Sequence, residues 1–254
     1  MHKASGIVLR PFRRVVILEI NITNMRLTLA SITIIAALSP MAAQGQKESN
    51  AAQRIDASRD VLTDMMHAND KGIPQDLMDK ATCVIIVPNM KKAGFIFGAK
   101  YGRGFAMCRR SSGHGWSSPA GIRIEGGSFG LQIGGTEQDA VLLVMNETGM
   151  KHLISSKFTL GADATVAAGP VGRAATAQTD ATMRAEMLSY SRARGIFAGI
   201  VLDGATLRPD DSANQELYGT DPGNREILTG SVKTPASAAI LEATLNRQSM
   251  RKSK

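Results

Sequence analysis

Between Cys83 and Asn146 the chain carries six short runs of β-branched, aromatic and small residues, at 83–87, 93–100, 103–109, 120–124, 128–134 and 139–145. Glycine punctuates them, as in Gly94-Phe95-Ile96-Phe97-Gly98 and Phe129-Gly130-Leu131-Gln132-Ile133. Too little chain separates them for crossover helices, which need a dozen or more residues. The runs must therefore pair as antiparallel neighbours. This requirement constrains the fold more than any other feature.

Helical signals flank the strand region. Ile55, Leu62, Met65 and Met66 fall on one face of a helix over 48–68, with Arg54, Asp56, Arg59, Asp60 and Asp64 on the others. Asp70-Lys71-Gly72-Ile73-Pro74 breaks it, and a short helix from Pro74 to Ala81 follows. Residues 147–156 read as one crossing helix, 182–190 and 195–202 as further strands, and Asp210–Tyr218 as a helix. A last helix runs from Thr234 to Arg247, with Thr234 as N-cap and Pro235 at the first helical position. The expected fold is α+β: a single domain with a central antiparallel β-sheet or barrel, flanked by N- and C-terminal helices.

The ends of the chain read differently. Arg26, the uncharged stretch 27–38, Pro40 and then Ala43 and Gly45 have the order of a secretory signal, with cleavage expected after Gly45. Met25 offers an internal start. The alternative is an uncleaved anchor, for which the uncharged stretch 27–43 is at the short limit. Residues 1–45 are thus expected to be a leader, 46–232 the binding domain, and 233–254 a C-terminal helix and basic tail. The leader and the last eight residues carry the whole formal charge of +8, so residues 46–246 are close to neutral. A nucleic-acid partner is not supported by that distribution, nor by an aromatic content of 4%. The expected destination is the periplasm or the exterior. Export permits a disulfide between Cys83 and Cys108, the two cysteines of the chain. Two buried free thiols are the alternative.

One enzyme pattern is present. Gly126-Gly127-Ser128-Phe129-Gly130 fits G-x-S-x-G, and Asp139 and His152 follow in the order of a hydrolase triad. That chemistry needs the serine on a strand-to-helix turn, whereas Leu131-Gln132-Ile133-Gly134 continues like a strand. A hydrolase using Ser128 is the weakest reading. No cofactor loop or metal-ligand spacing is evident, and His67, His114 and His152 are scattered.

The most informative pattern is charge. From Cys83 to Ile124 there is no Asp or Glu, but there are Lys91, Lys92, Lys100, Arg103, Arg109, Arg110 and Arg123. Phe95, Phe97, Tyr101, Phe105 and Trp116 interleave with them. Such a segment suits an anionic membrane surface, where each basic residue contributes about 1 kcal/mol. Lys91, Lys92, Lys100, Arg103, Arg109 and Arg110 are the candidate contacts. Strand alternation divides successive residues between two faces. The strand ends, Lys91/Lys92 and Arg109/Arg110, are therefore the expected common surface. The alternative is that these cations merely keep sheet edges soluble.

Several blocks in one order resemble a known family. They are Lys71-Gly72-Ile73-Pro74, Ala81-Thr82-Cys83-Val84-Ile85-Ile86-Val87-Pro88, Lys91-Lys92-Ala93-Gly94-Phe95 and Gly115-Trp116-Ser117-Ser118-Pro119-Ala120. Gly127-Ser128-Phe129-Gly130-Leu131-Gln132-Ile133-Gly134, Lys157-Phe158-Thr159-Leu160-Gly161-Ala162-Asp163-Ala164 and Ser189-Tyr190-Ser191-Arg192-Ala193-Arg194-Gly195-Ile196-Phe197-Ala198-Gly199 follow. Across residues 50–230 the chain resembles the SYLF domain, also called the Ysc84-type or DUF500 domain. The resemblance implies non-enzymatic binding of phospholipid, with phosphoinositides and actin as partners of eukaryotic members. For an exported chain anionic bacterial phospholipid is the expected partner and actin is not. No cofactor is implied. An envelope structural or protein-interaction module is the alternative.

Overall fold

The computed structural model describes residues 50–68, 72–94, 97–112, 115–129, 134–171 and 184–249. The leader, residues 1–45, and the end of the basic tail, 250–254, lie outside the described residues. The first helix, α1, spans Asn50–His67, and α2 spans Gln75–Lys80. Then come β1 (Cys83–Gly94), β2 (Phe97–Cys108), β3 (Ala120–Phe129), β4 (Gly134–Val144) and α3 (Glu147–Leu153). The second half supplies β5 (Phe158–Thr159), β6 (Val166–Ala168), β7 (Met187–Ala193), β8 (Ile196–Gly199) and β9 (Thr206–Pro209). It ends with α4 (Asp211–Tyr218), α5 (Asn224–Leu228) and α6 (Ala239–Gln248), the last preceded by a 3-10 turn at Ala236–Ala238.

The nine strands form one sheet in the order β5-β9-β3-β2-β1-β4-β7-β6, and β8 also pairs with β7. All pairings are antiparallel except β6 with β7. This is the α+β domain with a central, mainly antiparallel sheet that the closely spaced strand runs require. Alternation along β1 divides the core. Val84 and Ile86 face α1, α2 and α6, with Phe105, Met107, Val141, Leu143, Leu241 and Leu245 in the same cluster. Ile85 and Val87 face the other way, toward Ile122, Ile124, Leu142, Leu160, Leu207 and Ile227. The C-terminal helix, set apart at residue 233 in the sequence reading, thus packs into the same core as α1.

The strands are longer than the sequence runs. Pro88-Asn89, which reads as a break, is instead a β-bulge inside β1. The register to β2 shifts by one residue between Ile86 and Lys91, and that to β4 between Val87 and Met90. Asn89 takes a φ of 51°, and its N–H donates to Asp139 Oδ1 at 3.0 Å. Tyr101-Gly102, which reads as a gap between two strands, lies within β2. Glycine serves close approach there: a Cβ on neighbouring Gly104 would stand 1.9 Å from the carbonyl oxygen of Ile86. The strand expected at 182–190 is shifted to 187–193, and the hairpin closes on Arg194 and Gly195, both with positive φ. Thr234 does not cap the last helix. Pro235 occupies the cap of the 3-10 turn without a side-chain bond, and Thr234 donates its hydroxyl to Glu242.

Cys83 and Cys108 stand directly opposite each other on β1 and β2, with Cα atoms 4.0 Å apart, and are joined as a disulfide. The bridge is wholly buried at the end of the hairpin remote from its turn.

Candidate functional site

Because β1 and β2 are antiparallel, the six candidate cations separate. Lys92 pairs in register with Lys100, and Lys91 with Tyr101, close to the hairpin turn. Arg109 and Arg110 follow the end of β2, nine or more residues from Lys100, which at about 3.3 Å per residue is roughly 30 Å away. The expected common surface of Lys91/Lys92 with Arg109/Arg110 is therefore not formed. The two pairs mark opposite ends of one hairpin.

Arg109 is interior, with 8% of its surface exposed. Its Nε donates to the Ala81 carbonyl at 2.9 Å, its Nη1 to Ser249 at 3.2 Å, and its Nη2 to Met78 and Asp79 at 3.3 and 3.1 Å. The guanidinium also lies over the Trp116 ring, 4.3 Å from its centroid. It neutralises the carbonyl end of α2 and ties it to the C-terminal segment. Arg110 donates to the Trp116 carbonyl at 2.8 Å and pairs with Glu242 at 3.0 Å. Both act as structural staples.

The bulge sets what the other end presents. Beyond it Met90 joins the core of Ile85 and Val87, so Lys91 lies on the α1 face with Tyr101 and Arg103, and Lys92 with Lys100 on the opposite face. Lys91 has an exposed partner, Glu137, at 3.6 Å. Among the described residues neither Lys92 nor Lys100 has an ion-pair partner. Burial, and then the charge of Lys100, holds the Lys92 ammonium below the ordinary lysine range.

On the α1 face a groove of about 540 Å³ runs between α1 and the hairpin, lined by Gln53, Arg54, Lys91, Tyr101 and Arg103, among others. Arg103 is fixed by Asp210, donating through Nε and, at 2.9 Å, through Nη2, which also reaches Ser212 at 2.7 Å. The bonds to Asp210, working against burial, raise the Arg103 pKa. Burial alone would raise the Asp210 carboxyl, but the bonds from Arg103 and Ser212 and the nearby charge of Arg123 hold it below the usual range. Arg54 is different: burial, then the charge of Arg103, lowers its pKa, and its buried Nη1 has no hydrogen-bond partner. The sequence pattern assigned Arg54 only to a polar helix face. Its one signal was a place beside Ile55, at the rim of the apolar stripe.

Residues 125–248 match the family model for Ysc84, described as a Las17-binding protein actin regulator. The chain carries a Ysc84-type domain, the SYLF domain. It is 34% identical over 177 residues to an SH3 domain-containing protein of Schizosaccharomyces pombe, covering 68% of this chain and 41% of that protein. It is 30% identical over 200 residues to LAS seventeen-binding protein 3 of Saccharomyces cerevisiae, covering 78% of this chain and 43% of the relative. With SH3 domain-containing YSC84-like protein 1 of Mus musculus the identity is 34% over 178 residues, 70% of this chain and 52% of the relative. The chain thus spans about half the length of these relatives, which are named as binding or SH3-bearing proteins rather than enzymes.

In this Ysc84-type domain the hydrolase triad is not assembled. Ser128 sits within β3, in register with Gly98 of β2, not on a strand-to-helix turn. Asp139 lies on β4, three strand spacings across and five residues along from the position level with Ser128, more than about 14 Å away. Its carboxylate is occupied by the bulge N–H of Asn89 and by Arg192, whose Nε donates at 2.8 Å. His152, on α3 beyond the far end of β4, faces Glu186 at 3.7 Å and the ring of Phe158.

Proposed function

We propose that this Ysc84-type domain is a non-enzymatic module that docks on anionic phospholipid through the turn-proximal end of the β1–β2 hairpin. The observation that carries the reading is the cluster of Lys91, Lys92 and Lys100 around both faces of one hairpin end, with Lys92 and Lys100 unpaired among the described residues. Half-buried ammonium groups without a carboxylate partner are costly, and an anionic surface offsets that cost. We propose further that the order Arg26, apolar 27–38, Ala43-x-Gly45 directs export, which the Cys83–Cys108 bridge supports. N-terminal sequencing of the native protein at Gln46 would agree, and a start at Met1 or Met25 would not.

The test is flotation on anionic against zwitterionic vesicles. Three lysines at about 1 kcal/mol each correspond to roughly a hundredfold in affinity. Lys91→Glu/Lys92→Glu/Lys100→Glu should lose at least that much, and binding of the native protein should fall as salt shortens the Debye length. Binding indifferent to lipid charge and to the triple substitution would remove the reading. A second reading, a protein partner, draws support from the family's description as an actin regulator and from the Las17-binding names of relatives. Co-sedimentation with actin filaments in the absence of vesicle binding would favour it.

A further inference from the structure

We propose that the groove between α1 and the β1–β2 hairpin is an oxyanion site, in which the guanidinium groups of Arg54 and Arg103 together hold one phosphate group. The site deepens the membrane reading by naming a single chemical group, but it does not depend on a bilayer. A free phosphate ester and a lipid headgroup offer the same oxygens.

The argument begins with an unmade bond. Arg54 projects from α1 into the groove, and its Nη1 is withdrawn from water without an acceptor. A buried donor left unpaired is costly, and that cost is recovered when the side chain turns this N–H toward an acceptor in the groove, which the fold does not itself supply. Arg103 is the second half. Asp210 and Ser212 engage its Nε and Nη2, which fixes the plane of the guanidinium and leaves Nη1 for a ligand. Asp210 is nearly wholly buried and already serves two cations, Arg103 and, at 3.9 Å, Arg123. It cannot turn to Arg54.

The remaining charges facing the groove do not cancel Arg54 either. Glu216 stabilises both arginines at a distance, but its carboxylate accepts the Ala51 N–H at 2.9 Å, at the start of α1. Glu137 belongs to Lys91. Arg54, Lys91, Arg103 and Arg123 thus face three carboxylates, Asp210, Glu216 and Glu137, and the surplus positive charge rests on Arg54, which has no ion pair among the described residues. Charge and geometry together select the ligand. One guanidinium fork satisfies a carboxylate, as Arg103 does with Asp210. Donors from α1 and β2, on different elements and flanked by Lys91 and the half-exposed Tyr101, call for the several outward oxygens of a tetrahedral phosphate. A groove of about 540 Å³ leaves room for the group the phosphate is attached to.

The experiment titrates inorganic phosphate into the full chain and follows the arginine side-chain Nε–Hε resonances, with chloride at matched ionic strength as reference. A saturable shift is expected, half-complete at about 1–10 mM. Arg54→Gln should weaken it at least tenfold and Arg54→Lys, which keeps the charge and loses the fork, several-fold; Lys80→Gln, exposed on α2 and away from the groove, should leave it unchanged. Phosphate should also raise the melting temperature of the native protein and not that of Arg54→Gln, which separates lost binding from lost folding. A shift no different from that in chloride, or one retained in Arg54→Gln, overturns the site. Vesicles of phosphatidic acid separate the two sources. Loss of both phosphate and vesicle binding in Arg54→Gln assigns the site to a headgroup, and loss of phosphate binding alone assigns it to a soluble ester. A phosphate shift that survives Lys91→Glu/Lys92→Glu/Lys100→Glu while flotation is lost shows the two sites to be separate.

Discussion

The two ends of the β1–β2 hairpin carry the same kind of charge to opposite purposes. At the disulfide end Arg109 and Arg110 spend their donors on carbonyls, on the face of Trp116 and on Glu242. At the turn end Lys91, Lys92 and Lys100 have, among the described residues, one exposed carboxylate between them. Both groups belong to one acid-free stretch of sequence. Arginine's flat fork suits fixed carbonyls, whereas lysine is a strongly hydrated point charge that keeps its head in water. The contrast separates cations that hold the fold together from cations that hold little of it.

The largest effect should come from breaking the stapled end. Arg109→Met removes at least five interactions from a buried site and leaves several carbonyls unmatched. The expected loss is about 4 kcal/mol in urea unfolding. Lys91→Met at the other end should stay within about 0.5 kcal/mol. Equal losses at the two ends would erase the distinction.

Next comes the bridge. Closing a loop of about 25 residues, the separation of Cys83 and Cys108, contributes roughly 3 kcal/mol in the chain-entropy view. The double variant Cys83→Ala/Cys108→Ala should lose about that much, and alkylation of the denatured, unreduced protein should find no free thiol.

Between the two ends Asp210 fixes Arg103, whose charge acts on Arg54. Its folded pKa lies below its ordinary value, because the bonds from Arg103 and Ser212 outweigh burial. A depressed carboxyl contributes stability above the unfolded pKa of about 3.9 and loses it as pH falls through the folded value. Asp210→Asn should therefore cost about 2 kcal/mol at neutral pH, with the difference from the native protein closing below about pH 4. A difference that persists unchanged into acid would mean that packing, not charge, is what the substitution removes.

These assignments could be read from the sequence only in part. The strand region, α1, α2, α3, α4 and the last helix follow from local periodicity and breakers. Two local signals misled. Pro88-Asn89 has the composition of a loop, and only the pairing on both sides of β1 makes it a bulge. Gly102 resembles a turn residue but lies within β2, where a Cβ would stand 2.5 Å from Val87 Cγ1. The site depended on distance along the chain. Arg103 finds Asp210 across 107 positions, Arg110 finds Glu242 across 132, and Arg109 finds Ser249 across 140. No spacing rule reaches so far, so a staple and a free cation look alike in one dimension.

The smallest expected effect discriminates most finely. Lys92 and Lys100 face each other directly across the strands, and like charges so placed destabilise a sheet by about 0.2–1 kcal/mol. Burial, and then Lys100, depresses the Lys92 pKa. For a base held below its ordinary value the cost is fully present at neutral pH, where both states are protonated. It is relieved as pH rises through the folded pKa toward the unfolded value of about 10.4. Lys100→Gln should therefore stabilise the fold by about 0.5 kcal/mol at pH 7, and the native protein should gain more than the variant on raising the pH toward about 10. The same substitution should weaken binding to anionic vesicles by about fivefold, the equivalent of about 1 kcal/mol. Stability and binding moving in opposite directions is the mark of a charge kept for a ligand. If Lys100→Gln instead lowered stability and left vesicle binding unchanged, this end of the hairpin would be a solvated strand edge, and the contrast with Arg109 would be one of burial alone.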